Sequence, residues 1–124
     1  MITVIVQFDK LPALLARPQI TRRFVDNAPK YQAMAGLIRK YYALSKDGAS
    51  VAGIYLWESR AAAERAYSKE WLERNTKNFG EPTITWYDCP LVVDNLTGEL
   101  VVDESPAEAP PGGPGPANPV PGFP

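Results

Sequence analysis

The residue types best suited to chemistry crowd into one stretch. Between Gly36 and Trp57 the chain carries Lys40, Tyr41, Tyr42, Tyr55 and Trp57, while histidine is absent from the whole sequence. Without histidine, Ser-His-Asp and Cys-His nucleophilic machinery is excluded, as are histidine-ligated haem and the usual histidine-containing zinc and non-haem iron sites. The single cysteine, Cys89, makes neither an internal disulfide nor a thiolate metal site. No cluster of acids suggests an all-carboxylate metal site, and no Gly-rich phosphate loop is present. Chemistry in this chain therefore falls to aromatic residues, amides, Lys, Arg, carboxylates and the substrate itself.

Lys40 can set a positive charge beside a substrate anion, and Tyr42, two positions on and so on the same strand face, can donate a hydrogen bond or relay a proton. Tyr55 and Trp57 share one face of the following strand and can wall an aromatic slot, with Tyr67, Trp71 and Trp86 as further wall residues. Each has a structural alternative. Large aromatics dominate cores and interfaces, and a lysine on an apolar strand needs a partner, for which Asp88 and Glu58 are the candidates.

These residues must be positioned by a hairpin. Leu37–Leu44 and Val51–Trp57 are strand-forming runs joined by SKDGAS, a link containing Asp-Gly. Val51, Gly53, Tyr55 and Trp57 alternate with Ala52, Ile54 and Leu56, so both faces of the second strand avoid charge. A strand apolar on both sides needs protein on both sides. Helices of this chain can supply one layer, and a second copy of the sheet the other, which predicts a homodimer.

Around the hairpin, Ile2–Phe8 reads as a strand, with Ile2, Val4, Val6 and Phe8 on one face. A connection carrying Leu11, Pro12, Leu14 and Leu15 leads to a helix from about Pro18. Its inner stripe is Ile20, Phe24, Ala28 and Tyr31, with Arg22, Arg23, Asp26 and Lys30 facing water. Pro29 predicts a kink or an early end. After the hairpin, Ser59 is an N-cap for an alanine-rich helix with Ala62, Ala66 and Tyr67 inward. The register breaks near Ser68, because Trp71, Leu72 and Phe79 suit a second segment that Gly80 and Pro82 stop. A last strand runs Thr83–Val93, with Pro90 marking an edge, a bulge or a switch of direction, and its end is an arm suited to a partner subunit. The order strand, helix, strand, strand, helix, strand predicts an α+β ferredoxin-like fold, an antiparallel sheet with helices on one face.

Composition sets the outer limits. The 124 residues, 45% hydrophobic and 22% charged, fit one globular domain over residues 1–96. Residues 97–124 form a Pro/Gly-rich tail, either solvated or a docking peptide anchored by Val120 and Phe123. A formal net charge of -1 gives no reason to propose nucleic acid as a partner, and no apolar run is long enough for a membrane span. The start MITVIVQFDK lacks the features of a signal peptide, so a cytoplasmic location is the default expectation.

Several motifs together carry a resemblance. Gly36-Leu37-Ile38-Arg39-Lys40, then Gly53-Ile54-Tyr55-Leu56-Trp57-Glu58-Ser59 before an alanine-rich helix, and a last strand ending Cys89-Pro90-Leu91-Val92-Val93-Asp94, resemble the YdhR-like monooxygenases of the dimeric α/β-barrel superfamily. The likeness covers about residues 1–96, and Ala52 stands where many relatives have a second glycine. It implies a homodimer with a cavity in each subunit, and a monooxygenase that uses O2 on aromatic or polyketide-like small molecules with neither metal nor flavin. Lys40, Tyr55 and Trp57 would then be the catalytic set, and Tyr42, Tyr67, Trp71 and Trp86 would bind the substrate. The alternatives are a non-catalytic binder of small hydrophobic ligands and a polyketide cyclase-like enzyme in the same cavity.

Overall fold

The structure, a computed structural model, describes residues 1–11 and 15–106. Pro12, Leu14 and the anchors Val120 and Phe123 lie outside the described residues.

Four strands form one antiparallel sheet: β1 (Ile2–Phe8), β2 (Leu37–Leu44), β3 (Val51–Trp57) and β4 (Thr83–Asp88), in the order β2-β3-β1-β4. Helix α1 (Arg17–Gln32) links β1 to β2, and α2 (Arg60–Ala66) followed by α3 (Lys69–Phe79) links β3 to β4. This is the ferredoxin-like α+β fold, with the second helix of the βαββαβ unit broken in two. The break follows from two serine caps: Ser59 Oγ accepts the Ala62 N–H at 3.1 Å, and Ser68 Oγ accepts the Trp71 N–H at 3.1 Å.

Alternation in β1 decides which face is core. Ile2, Val4, Val6 and Phe8 are buried under the helices, while Thr3, Ile5 and Gln7 point to the other face. The register carries that division across the sheet, setting Val4 opposite Tyr55 and Trp86, and Lys40 beside Tyr55. Trp57, Val4 and Val6 are the largest fully buried side chains. An irregularity between Leu37 and Arg39 keeps Lys40, Tyr42 and Leu44 on the helix face and leaves Ile38 out of the pairing.

Two glycines explain how closely the layers approach. Gly36 has φ 83°, and a Cβ there would stand 2.5 Å from the Ala62 Cβ. The glycine before β2 and the small residues of α2 therefore form one contact. Gly48, with φ 75°, closes the hairpin, where Asp47 Oδ1 accepts from the Ser45 hydroxyl at 2.7 Å and the Ala49 N–H at 3.0 Å.

Three expectations change in detail. Helix α1 passes Pro29 and ends at Gln32, because a proline so near the C-terminus releases only the Val25 carbonyl, and Val25 lies on the exposed side. Leu72 is exposed, since only one of two adjacent residues can face the sheet and Trp71 takes that place. The last strand stops at Asp88, and after Cys89-Pro90 the chain forms a separate hairpin of β5 (Leu91–Asp94) and β6 (Glu99–Val102).

That hairpin carries Glu99–Val102, which composition had grouped with the tail. Its turn is specified by Asp94, whose Oδ1 accepts the Leu96 and Thr97 N–H groups at 3.1 and 3.3 Å, and by Gly98 at φ 76°. It is tied to the body at several points. Cys89 donates its N–H to the Met1 carbonyl at 2.9 Å, the Met1 ammonium pairs with Asp103, and Arg39 of β2 pairs with Asp94.

Candidate functional site

Between α1, α3 and the helix face of the sheet lies a cavity of about 330 Å³, with a largely apolar lining. That size and character suit a small aromatic molecule. Val6, Phe8, Ile20, Phe24, Val51 and Phe79 supply the apolar wall. Polar groups enter at helical spacing. Arg23, Asn27 and Tyr31 rise along α1 at steps of four, and Trp71, Asn75 and Asn78 at steps of four and three along α3. No carboxylate lines the cavity among the described residues.

Lys40 is the centre of the polar end. Its Nζ lies 3.4 Å from the centroid of the Tyr31 ring, 3.9 Å from that of Tyr42 and 4.7 Å from that of Tyr55. It makes no ion pair among the described residues, so neither Asp88 nor Glu58 serves as its partner. Desolvation, with a smaller repulsion from Lys30, pulls its pKa from 10.5 down to about 7. The three ring faces pull in the opposite direction, favouring the ammonium. Lys40 is therefore the group in this cavity that changes charge near neutrality.

The tyrosines do not. Burial, with Tyr31 adding to it, pushes Tyr42 up to about 12, and burial raises Tyr55 and Tyr67 further still. All three remain hydroxyl donors under ordinary conditions. Tyr42 donates to Asn27 Oδ1 at 2.8 Å, which fixes its ring beside Lys40 and joins α1 to β2 at the site. Tyr55 has its room because of Gly53: a Cβ at that position would lie 2.7 Å from the Tyr55 ring.

Of the seven residues singled out in the sequence, the structure brings Lys40, Tyr42, Tyr55 and Trp71 to the cavity. Trp57, Tyr67 and Trp86 sit elsewhere, in the core behind it. Trp57 has no exposed surface and donates its Nε1–H to the Tyr67 hydroxyl at 3.0 Å, with its ring stacked 6.0 Å from Tyr55. Tyr67 meets Trp71 and Trp86 edge to face at 5.1 and 5.7 Å. The reason is position along the strands: Trp57 pairs with Ile2 and Leu37 at the end of the sheet covered by α2, while Tyr55 and Gly53 lie nearer the middle, under the gap between α1 and α3.

Arg23, expected to face only water, also lines the cavity, and Tyr31, expected on the inner stripe of α1, does so as well; Asn27, Asn75 and Asn78 were not among the residues singled out. The signal was present as polar residues repeating at threes and fours beside an apolar stripe, but such a pattern also describes an ordinary solvated helix edge.

No protein-family model matches the sequence, and no curated protein matches it. Solved structures do share its fold. A monooxygenase of Streptomyces coelicolor, ActVA-Orf6 in complex with nanaomycin D, superposes with a TM-score of 0.53 at 18% identity, covering 69% of this chain and 84% of that one. A structure described as an antibiotic biosynthesis monooxygenase gives 0.55 at 16% identity, over 72% and 98%. A hydroxynitrile lyase from Passiflora edulis gives 0.50 at 13% identity, over 69% and 91%. At such identities the likeness is one of fold, and the fold hosts more than one chemistry.

Proposed function

We propose that this chain is a monooxygenase that oxidises a phenolic or polyketide-like aromatic molecule with O2, and that the substrate rather than a metal or flavin supplies the electrons. The observation that carries this reading is the pairing of one titrating amine, Lys40, with an aromatic-walled cavity lined by no carboxylate among the described residues. Such a site favours an electron-rich aromatic anion. The resemblance of Gly36–Ser59 to YdhR-like monooxygenases and the shared fold of the ActVA-Orf6 monooxygenase support the same reading.

The chemistry begins with a proton transfer. Neutral Lys40 takes the proton of a bound phenol or enol, and the resulting ammonium remains beside the anion, where low dielectric strengthens their attraction. Tyr42, Tyr31 and Tyr55 hold the amine in place, and Asn75 and Asn78 offer amide groups along the opposite wall. The anion passes one electron to O2, recombination of radical and superoxide forms a carbon–oxygen bond as a peroxide anion, and the Lys40 ammonium returns its proton to give the hydroperoxide. Loss of water then leaves a carbonyl. For an anthrone-like substrate the balance is one CH2 group plus O2 giving C=O plus H2O, with no external reductant.

The acting species is proposed to be a homodimer. The sheet face away from the helices carries the half-buried Ile5, Ile54 and Leu56 and the exposed Tyr41, and the β5–β6 hairpin adds Leu91, Val93, Leu100 and Val102 on one side, all four exposed in the single chain. A second copy would cover both surfaces, and a specific interface needs on the order of 1,200–2,000 Å² in total.

Oxygen uptake tests the reading directly. With chelator present and a panel of anthrone-like and naphthol-like phenols, uptake above the buffer rate that falls at least about tenfold in Lys40→Met, the scale of a lost general base, supports it. Uptake by no compound on the panel rejects it.

A further inference from the structure

We propose that Lys40 is also a covalent site, an amine that forms an imine with an aldehyde or ketone carried on an aromatic ligand in the cavity. The inference goes beyond the oxygenase reading and does not depend on it.

Three features of the geometry lead there. Lys40 lines the cavity together with apolar residues, so a ligand carbonyl held there lies beside its side chain. The rings of Tyr31, Tyr42 and Tyr55 hold the amine from three sides and fix its direction without offering an acceptor that would bind it as an ion pair. Among the described residues, the titratable or charged groups facing it are basic residues and tyrosines, with no carboxylate: Lys30, Arg23 and Tyr31 on α1, Tyr42 on β2 and Tyr55 on β3, while α3 brings only Trp71, Asn75 and Asn78. A desolvated lysine next to another cation is the arrangement that frees an amine lone pair at neutral pH. The pKa of about 7 agrees with this.

The step is a condensation without redox change. The lone pair of Lys40 adds to the carbonyl carbon, and the C=O π pair moves to oxygen, which is protonated to a carbinolamine. The nitrogen then loses its second proton as its lone pair forms C=N, and the hydroxyl leaves as water. One amine and one carbonyl give one imine and one water. In a polyketide-like ligand the imine, once protonated, would draw electrons from the neighbouring carbon and acidify its C–H bonds, which an ammonium ion does only through space.

The test uses the full chain, 6-methoxy-2-naphthaldehyde and sodium cyanoborohydride under nitrogen at pH 7, followed by intact mass measurement and peptide mapping. The expected result is one reduced adduct at Lys40, formed on the order of tenfold or more faster than at any exposed lysine, because exposed amines are almost wholly protonated at that pH. Lys40→Met should lose the fast adduct. If that variant fails to fold, the wild-type peptide map still decides. Label spread over the lysines without preference, or a labelled protein with Lys40 unmodified, overturns the proposal. An adduct without oxygen uptake on phenols would reject only the oxygenase reading, and uptake without an adduct would reject only the imine.

Discussion

Lys40 carries a full charge in the unfolded chain at neutral pH, and burial draws it toward the neutral amine in the folded one. The folded pKa, about 7, lies below the ordinary value of 10.5, so the unfolded state binds more protons between those limits. Stability is thus penalised in full below pH 7 and recovers as the pH climbs toward about 10. Removing the charge should show this. Lys40→Met is expected to be more stable than wild type by about 1–2 kcal/mol at pH 6, after allowing for solvent screening and the lost ring contacts, with the gain gone by about pH 10. Urea titrations at the two pH values check it, and an equal difference at both would mean that Lys40 titrates like an exposed lysine. Gly53→Ala has a different cause. Its Cβ would meet a Tyr55 ring that cannot retreat, because Tyr31, Trp57 and Tyr67 pack around it. A loss of about 1–3 kcal/mol is expected in a denaturant titration, together with weaker ligand binding, since displacing Tyr55 shifts one wall of the Lys40 cage. Lys40, Tyr42 and Tyr55 were legible in the sequence because residues two apart share a strand face. The amides and Arg23 were not, since no sequence pattern shows which edge of a helix faces a gap.

Element boundaries were legible where a residue had one physical use. Ser59 could be read as a cap and the Asp-Gly turn as a hairpin, since each satisfies particular backbone groups. Ser68 was legible only as a break in register, and Pro90 only as an irregularity inside a strand expected to reach Val93, where the chain instead ends β4 at Asp88. What escaped was β6, whose Glu99–Val102 segment pairs only because Asp94 and Gly98 bend the chain back. Composition averaged over a window hides a four-residue strand beside a proline-rich run. Of the pieces described, this hairpin is also the one whose apolar side most lacks a cover, with Leu100 66% and Val93 60% exposed. On the homodimer proposed above, Val93→Asp with Leu100→Asp should leave the protomer folded and weaken self-association. Sedimentation velocity across a concentration series would detect a shift toward monomer, and an unchanged distribution would reject this hairpin as the contact surface.

At the scale of the molecule, the helix layer and the sheet meet in two unlike compartments. One is a filled core built on Trp57, Tyr67, Trp86 and the buried Ala62 and Ala63 of α2, and the other is the cavity held open between α1 and α3. Filled packing next to a gap gives the protein a rigid wall against which a ligand can be oriented, with Tyr31, Tyr55 and Trp71 belonging to both. The three tryptophans divide the same way: Trp57 and Trp86 lie in the filled compartment, and Trp71 alone borders the gap. That gives the protein two separable optical signals. All three indoles are buried, so global unfolding should shift the emission of the whole set to longer wavelength. An aromatic guest in the cavity should quench Trp71, the indole that borders it, most strongly. In Trp71→Phe the unfolding signal should persist while the response to 6-methoxy-2-naphthaldehyde weakens, so a fluorimeter could follow occupancy and folding in one sample.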